Sequence, residues 1–248
     1  MRIEHAELSL IGDREDNQDR VTVAVTEKTV LLVVIDGMGG HSDGSRAADT
    51  ALRSLLDSFQ QTVVPIFDPF GFMHLALGKA HDEVAKLGSL QSLETRPRAT
   101  TAICLVQQGQ AYWAHIGDSR IYWIRHGQVL TRTRDHSHVE LLLREGKITE
   151  AEVAHHPMRN FVECCLGGDP AIPEMTISGR HLLEPGDVLL LCTDGIWSNL
   201  TDPDIASFFR DESQDLRAWL EALGRRAVQA SAPFSDNSTA AVVRWLGG

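Results

Sequence analysis

Residues 31–44 read LLVVIDGMGGHSDG, and this stretch decides the fold. With Thr29 and Val30 before it, the unbroken aliphatic run to Ile35 has the pattern of a strand. The run stops at Asp36. Gly37, Gly39 and Gly40 then permit tight turning and close backbone approach. An acid at the end of an apolar run recurs three more times. Asp118 follows AYWAHIG, Asp194 ends DVLLLCTD, and Asp236 precedes STAAVV. Each acid is expected at the edge of a sheet, with its strand entering the core.

Outward from this strand, Val21–Thr26 is a second one, joined to the first near Glu27 and Lys28. Before it lie a dense polar loop, Gly12–Arg20, and a loosely alternating opening of ten residues that fits a strand. After it, Ser45–Phe59 carries Ala47, Ala48, Leu52, Leu55 and Leu56 at helical spacing, and Phe70–Leu87 reads as a second helix. Two consecutive helices suggest a layer over a sheet. Thr101–Gln107, Gln110–Ile116 and Arg120–Arg125 form a meander with turns at Gln108-Gly109 and Gly117-Asp118, and a further hairpin turns at His126-Gly127. Ser137–Glu145 is a short helix, and Gly146–Asn160 is an irregular, histidine-rich flap. Asp187–Thr193 is a strand, Leu216–Ala230 a helix and Ser238–Trp245 a closing strand. Hairpins mixed with paired helices favour antiparallel sheets with helices stacked outside, an α+β arrangement, over a parallel nucleotide-binding fold.

At 248 residues with 43% hydrophobic residues, the chain is expected to fold as one domain with a sizeable core. A net charge of -11 without basic patches argues against nucleic acid as a partner. No secretory h-region opens the chain, and no apolar run approaches the ~20 residues that cross a bilayer. The expected location is the cytoplasm, with no membrane partner. Cys104 and Cys192 lie in apolar runs and read as buried free thiols, while the adjacent Cys164 and Cys165 suggest no disulfide framework.

Four neighbouring carboxylates repel one another unless something positive joins them. Hard divalent cations do so, and they prefer oxygen ligands. Two such ions ~3.5–4 Å apart hold and acidify a bridging water suited to attack on phosphorus. Arg14 is the candidate for a bidentate grip on phosphoryl oxygens. Any single Asp-Gly after a strand is as readily a simple turn; four favour the metal reading. The loop Gly37–Gly44 is also open to reading as a phosphate cradle, but it fits neither common nucleotide-loop pattern. His136, His138, His155 and His156 match no zinc spacing. His138 and His155 read as surface histidines and His115 as structural.

The chain resembles the metal-dependent protein phosphatases of the 2C type in their short bacterial form. The resemblance rests on RxxNQDR at Arg14–Arg20, VIDGMGGHSDG at Val34–Gly44 and RATTA at Arg98–Ala102. It continues with HIGDSRIY at His115–Tyr122, TRDHS at Thr133–Ser137 and HPMRN at His156–Asn160. LLCTDGIW at Leu190–Trp197 and DNSTAAVV at Asp236–Val243 complete it. It implies a four-layer α-β-β-α sandwich, two antiparallel sheets flanked by paired helices. It implies hydrolysis of phosphoserine and phosphothreonine in proteins by a metal-bridging water, without a phosphoenzyme, at a centre of two Mn2+ or Mg2+ ions. Asp36 would bridge both ions and Gly37 would lend its carbonyl. Asp194 and Asp236 would complete the first site, and Asp19 would hold metal-bound water. Asp118 with Asp194 would bind a third, weaker ion. Arg14 would grip the substrate phosphate, and residues 137–160 would form the flap that touches substrate. Phosphorylated proteins and a cognate serine/threonine kinase are the implied partners of a monomer.

Two positions depart from the family. Gln18 stands where a glutamate is frequent and supplies oxygen without charge. Met38 stands where animal relatives place a histidine; His41, three residues on, is read as shaping the loop. Thr100 and Thr101 are expected to hydrogen-bond near the site, Arg120 to pair with a carboxylate, and Asn237 to fix the loop carrying Asp236. The competing readings are a phosphoprotein-binding module with weak turnover, supported only by Gln18, and a phosphatase dedicated to an anti-sigma-type partner.

Overall fold

The apolar run around Asp36 forms a strand whose two faces are both covered. In the computed structural model, Val30, Leu32 and Val34 pack toward a second sheet. Leu31, Val33 and Ile35 pack toward two helices. Successive side chains of a strand point to opposite faces, so a continuous aliphatic run marks a strand sandwiched on both sides. The structure describes residues 1–39, 42–153, 155–211 and 214–248. His41 and Gly40 lie outside the described residues.

In chain order the elements are β1 (Arg2–Leu10), β2 (Asp19–Val25), β3 (Thr29–Met38), α1 (Ser42–Gln60) and α2 (Pro69–Leu87). Then come β4 (Arg98–Gln107), β5 (Gln110–Ile116), β6 (Arg120–Arg125), β7 (Gln128–Arg132), α3 (His138–Arg144) and α4 (Glu150–Val153). The short strands β8 (Leu166–Gly167), β9 (Thr176–Ile177) and β10 (His181–Leu182) precede β11 (Val188–Cys192). Three helices, α5 (Asp194–Trp197), α6 (Asp202–Ser207) and α7 (Leu216–Ser231), lead to β12 (Ser238–Gly247). One sheet runs β1-β12-β11-β6-β7 and the other β10-β5-β4-β3-β2, with β8 against β4 and β9 against β5. These pairings are antiparallel.

Cys104, Trp113, Leu189, Leu191, Ala241 and Val243 fill the space between the sheets with the inner residues of β3. Leu55, Met73, Leu77 and Val84 of α1 and α2 cover the outer face of the β3 sheet. Trp219, Leu220 and Leu223 of α7, with Ile196 and Ile205 of the short helices, cover Leu190 and Val242 of the other. The result is the expected α-β-β-α sandwich. All four cysteines are free, with Cys104 and Cys192 buried. Among the described residues no helix is long and apolar enough to cross a membrane.

Two helix starts differ from the sequence reading. The first helix starts at Ser42, three residues before the expected Ser45. The second starts at Pro69, where Asp68 accepts from Gly71 N at 3.0 Å. The stretch 146–160, expected to be irregular, contains the single turn α4. Its base is fastened by a bridge between Ser137 and Val162 and by His138 N donating to Phe161 O at 3.0 Å. At the far end of the sandwich, buried Asp187 accepts from Arg125 Nε and Nη2 at 2.6 and 2.9 Å, a bidentate pair that satisfies its charge.

Candidate active site

The hairpin of β2 and β3 sets the first pair of acids. Thr26 Oγ1 donates to Thr29 O at 2.8 Å and accepts from Thr29 N at 2.9 Å, closing the turn. Counting back from that turn places Asp19 opposite Asp36, and β4 places Thr100 on the other side of Asp36. Gly37 allows this end of β3 to pass against its neighbours: a Cβ there would lie 2.2 Å from Gly44 O and 2.7 Å from Gln18 O.

Asp118 sits in the turn between β5 and β6. Gly117 makes that turn at φ +97°, a conformation L side chains disfavour, and a Cβ there would meet Thr100 at 2.5 Å. His136 holds the turn from two sides. Its backbone N donates to Gly117 O at 2.9 Å, and its Nδ1 accepts from Gly117 N at 3.2 Å. Thr100 Oγ1 and Ser119 Oγ share a hydrogen bond of 2.7 Å below it. Asp194 opens α5 directly after β11. The preceding Thr193 donates its hydroxyl to Asp19 Oδ2 at 2.9 Å, tying the two sheets together behind the site.

Asp236 precedes β12 and accepts from Arg14 Nη2 at 2.7 Å. Both partners are exposed, at 59% and 40% of their side-chain surface. Asn237 anchors the loop that carries Arg14. Its Oδ1 accepts from Gln18 N at 2.8 Å, and its Nδ2 donates to Ile11 O at 2.9 Å and Asp16 O at 3.0 Å. This is the loop-fixing geometry expected of Asn237. Because the side chain is buried, Asn237→Ala strands backbone groups at both ends of the loop. It is expected to lower the unfolding free energy by about 2–4 kcal/mol. Urea denaturation measures this, and an unchanged midpoint would count against the anchor.

Asp36, Asp118, Asp194, Asp236, Gly37 and Arg14 line one cavity of about 660 Å³. Asp19 is buried behind its wall. An adjoining cavity of about 700 Å³ shares Arg14, Asp118, Asp194 and Asp236 and extends to His155 and Arg159 of the flap segment. The remaining histidines of the sequence reading serve the scaffold. Buried His115 stacks on His136 at 4.5 Å and reaches Arg134 O at 2.8 Å, and His138 pairs with Glu163 at 2.8 Å.

The acids carry strained protonation equilibria. Burial first, then Asp19, Asp194, Asp118 and Asp236, push Asp36 well above the usual carboxylate range. Burial and Asp194 do the same to Asp118. Burial outweighs the hydrogen bonds from Thr239 and Thr193 and lifts Asp19 to about 7, and burial with Asp236 lifts Asp194 to about 6. Acids that raise one another in this way seek either protons or a cation. The donor set suits a hard cation, since among the described residues the cavity offers carboxylate and carbonyl oxygens and neither histidine nor cysteine. Among the described residues, no three His, Cys, Asp or Glu side chains are already drawn to metal-ligand spacing.

Sequence reading named Arg120 as a partner for a carboxylate but left that carboxylate open. It is Asp135, held by Arg120 Nε and Nη2 at 2.8 Å each. Trp197, which lies over Arg120, was not singled out at all. Its signal in the sequence is its place at the end of LLCTDGIW, one turn after Asp194.

Known proteins share this architecture. The family model for protein phosphatase 2C matches residues 9–232. Protein phosphatase PhpP of Streptococcus pneumoniae is 33% identical over 249 residues, covering 96% of each chain. The serine/threonine phosphatase of S. agalactiae superposes with a TM-score of 0.89 at 29% identity, over 99% of this chain and 100% of that one. The catalytic domain of the serine/threonine phosphatase PstP, in complex with 2 manganese ions, gives a TM-score of 0.81 at 25% identity over 99% of both chains. The family model over residues 9–232, with the match to PhpP over 96% of each chain, leads to one assignment: this chain belongs to the protein phosphatase 2C family of metal-dependent serine/threonine phosphatases.

Proposed function

We propose that this chain hydrolyses phosphoserine and phosphothreonine in proteins at the carboxylate-lined cavity. The observation that carries the reading is the convergence of Asp36, Asp118, Asp194 and Asp236 with Arg14 on that one cavity. Asp36 and the Gly37 carbonyl would hold two Mn2+ or Mg2+ ions, with Asp194 and Asp236 on the first and Asp19 behind them. Asp118 with Asp194 would hold a third, weaker one. Bound there, the ions supply an activated water and neutralise phosphoryl charge.

The protein's own part is binding and orientation. Arg14 is only lightly committed to Asp236, because an ion pair exposed on both sides is worth about 0–1 kcal/mol. It can therefore turn its guanidinium to a phosphoryl group. Among the described residues, that cavity is lined by no serine, threonine, cysteine or histidine. Residues 1–248 would act as one phosphatase domain and 137–160 as the flap beside the substrate. A monomer in the cytoplasm, opposed by a serine/threonine kinase, is the proposed setting.

The test is phosphate release from a phosphothreonine peptide, with Mn2+ and with chelator, for the wild type and for Asp194→Ala. Turnover that needs Mn2+ and is lost in the variant is expected. Folded wild-type protein without Mn2+-dependent turnover would overturn the reading and favour a phosphoprotein-binding module with Gln18 as its lesion.

A further inference from the structure

Asp118 and Asp194 reach the cavity from neighbouring strands of one sheet, each two residues beyond the last pair of the ladder, Arg120 opposite Cys192. Asp118 hangs in the turn between β5 and β6, and Asp194 follows β11. The ladder ends short of both acids, whose like charges repel. One side chain spans them. Trp197 lies in the single turn that Asp194 opens, three residues on, and its Nε1–H donates to the backbone carbonyl of Asp118 at 3.1 Å.

The indole is itself held. The Arg120 guanidinium carbon lies 3.4 Å from its ring centroid. Arg120 in turn is fixed by both oxygens of Asp135, in a pair only 13% and 8% exposed. Arg120 Nη1 also reaches Tyr122 Oη at 3.3 Å, and Tyr122 donates to Asp202 at 3.1 Å. Clamped over one face and bonded at its edge, the indole has little room to pivot. A residue that merely filled space here would need the ring but not the N–H donor. The donor adds a link between the Asp194 turn and the Asp118 turn beyond the β6–β11 ladder.

We propose that Trp197 is a positioning residue that sets the separation of Asp118 and Asp194, and so the affinity for the cation those two acids share. This rests on the reading of Asp118 and Asp194 as ligands of the weakest-bound ion. Trp197→Phe keeps an aromatic face under Arg120 and removes only the donor.

Calorimetric titration of Mn2+ into metal-free protein tests it, with the wild type, Trp197→Phe, Asp118→Ala and the double variant. Loss of one hydrogen bond is expected to raise the Kd of the weakest site about fivefold to tenfold in Trp197→Phe. The tighter sites should be unchanged. Asp118→Ala should abolish the weakest site, and adding Trp197→Phe to it should change nothing further. A wild-type isotherm for Trp197→Phe overturns the role of Trp197, as does an equal loss at every site or a further loss in the Asp118→Ala background. A wild-type isotherm for Asp118→Ala overturns the ligand assignment and the proposal with it, leaving Asp36-dependent hydrolysis standing. Should Trp197→Phe melt early, benzothienylalanine at 197 keeps the indole shape without the N–H. Its isotherm then decides by the same criteria.

Discussion

Asp36→Asn is expected to lower kcat/KM for a phosphothreonine peptide at saturating Mn2+ by at least about 10³-fold, because a metal centre supplies several kcal/mol of charge stabilisation. Asn keeps an oxygen at the end of β3 but removes the charge that would bridge two cations. The same substitution is expected to stabilise the metal-free protein. Asp36 is crowded by Asp19, Asp194 and Asp118, which raise its pKa together with burial, so its ionised form is a burden on the empty fold. Relief of that repulsion should lift the melting temperature by about 2–6 °C, the shift that 1–2 kcal/mol produces in a chain of this size. Activity and thermal melts on one preparation give both numbers. Residual kcat/KM within tenfold of the wild type would remove Asp36 from the centre of the site. A lower melting temperature would instead expose a structural role.

Acidification should move the metal-free and metal-loaded proteins in opposite directions. Asp19 and Asp194 stand at about 7 and about 6 in the fold, above the 3.8 of an unperturbed aspartate. Between pH ~4 and ~7 the folded chain therefore binds more protons than the unfolded one, and stability rises as pH falls through that window. Above pH ~7 these two acids are ionised in both states and their full penalty remains; below ~4 they are protonated in both and their contribution to the pH dependence ends. A cation needs those carboxylates deprotonated, so each displaced proton costs about tenfold in apparent affinity per pH unit below the folded pKa. Mn2+ affinity is expected to fall at least about 100-fold between pH 7 and pH 5. The melting-temperature gain from saturating Mn2+ should shrink over the same range. Calorimetry and melts across that range check it. A pH-independent Mn2+ affinity would mean that these acids do not hold the ion.

Much of this site is legible along the chain because burial restricts where charge can go. A strand covered on both faces, such as Leu31–Ile35, admits an acid only at its end, so Asp36 and Asp194 stand out against their aliphatic runs. The facing of Asp19 and Asp36 follows from the turn at Glu27-Lys28, since the register of a hairpin is fixed by its loop. Asn237 and Arg120 were readable as supports, because polar side chains beside buried acids must find partners. What escaped the reading lacks local periodicity. Two-residue strands such as β9 are defined only by the neighbour they meet. The bond from Trp197 to Asp118 O joins residues 79 apart and leaves no trace in either segment. The one-turn helix α4 is too short for a hydrophobic period to register.

The pairing of β1 with β12 has a consequence in time. These strands run antiparallel from Leu10 opposite Ser238 to Arg2 opposite Gly247, and Asn237 at the head of β12 grips Ile11, Asp16 and Gln18. The bonds from Asn237 to Ile11, Asp16 and Gln18 close loops of 226, 221 and 219 residues, while Asn17 and Gln18 are also held by Ser9, Ser45 and Gly37. Closing loops of that length is slow. Asp236 and the full anchorage of Arg14 are thus expected to join the early acids late in folding.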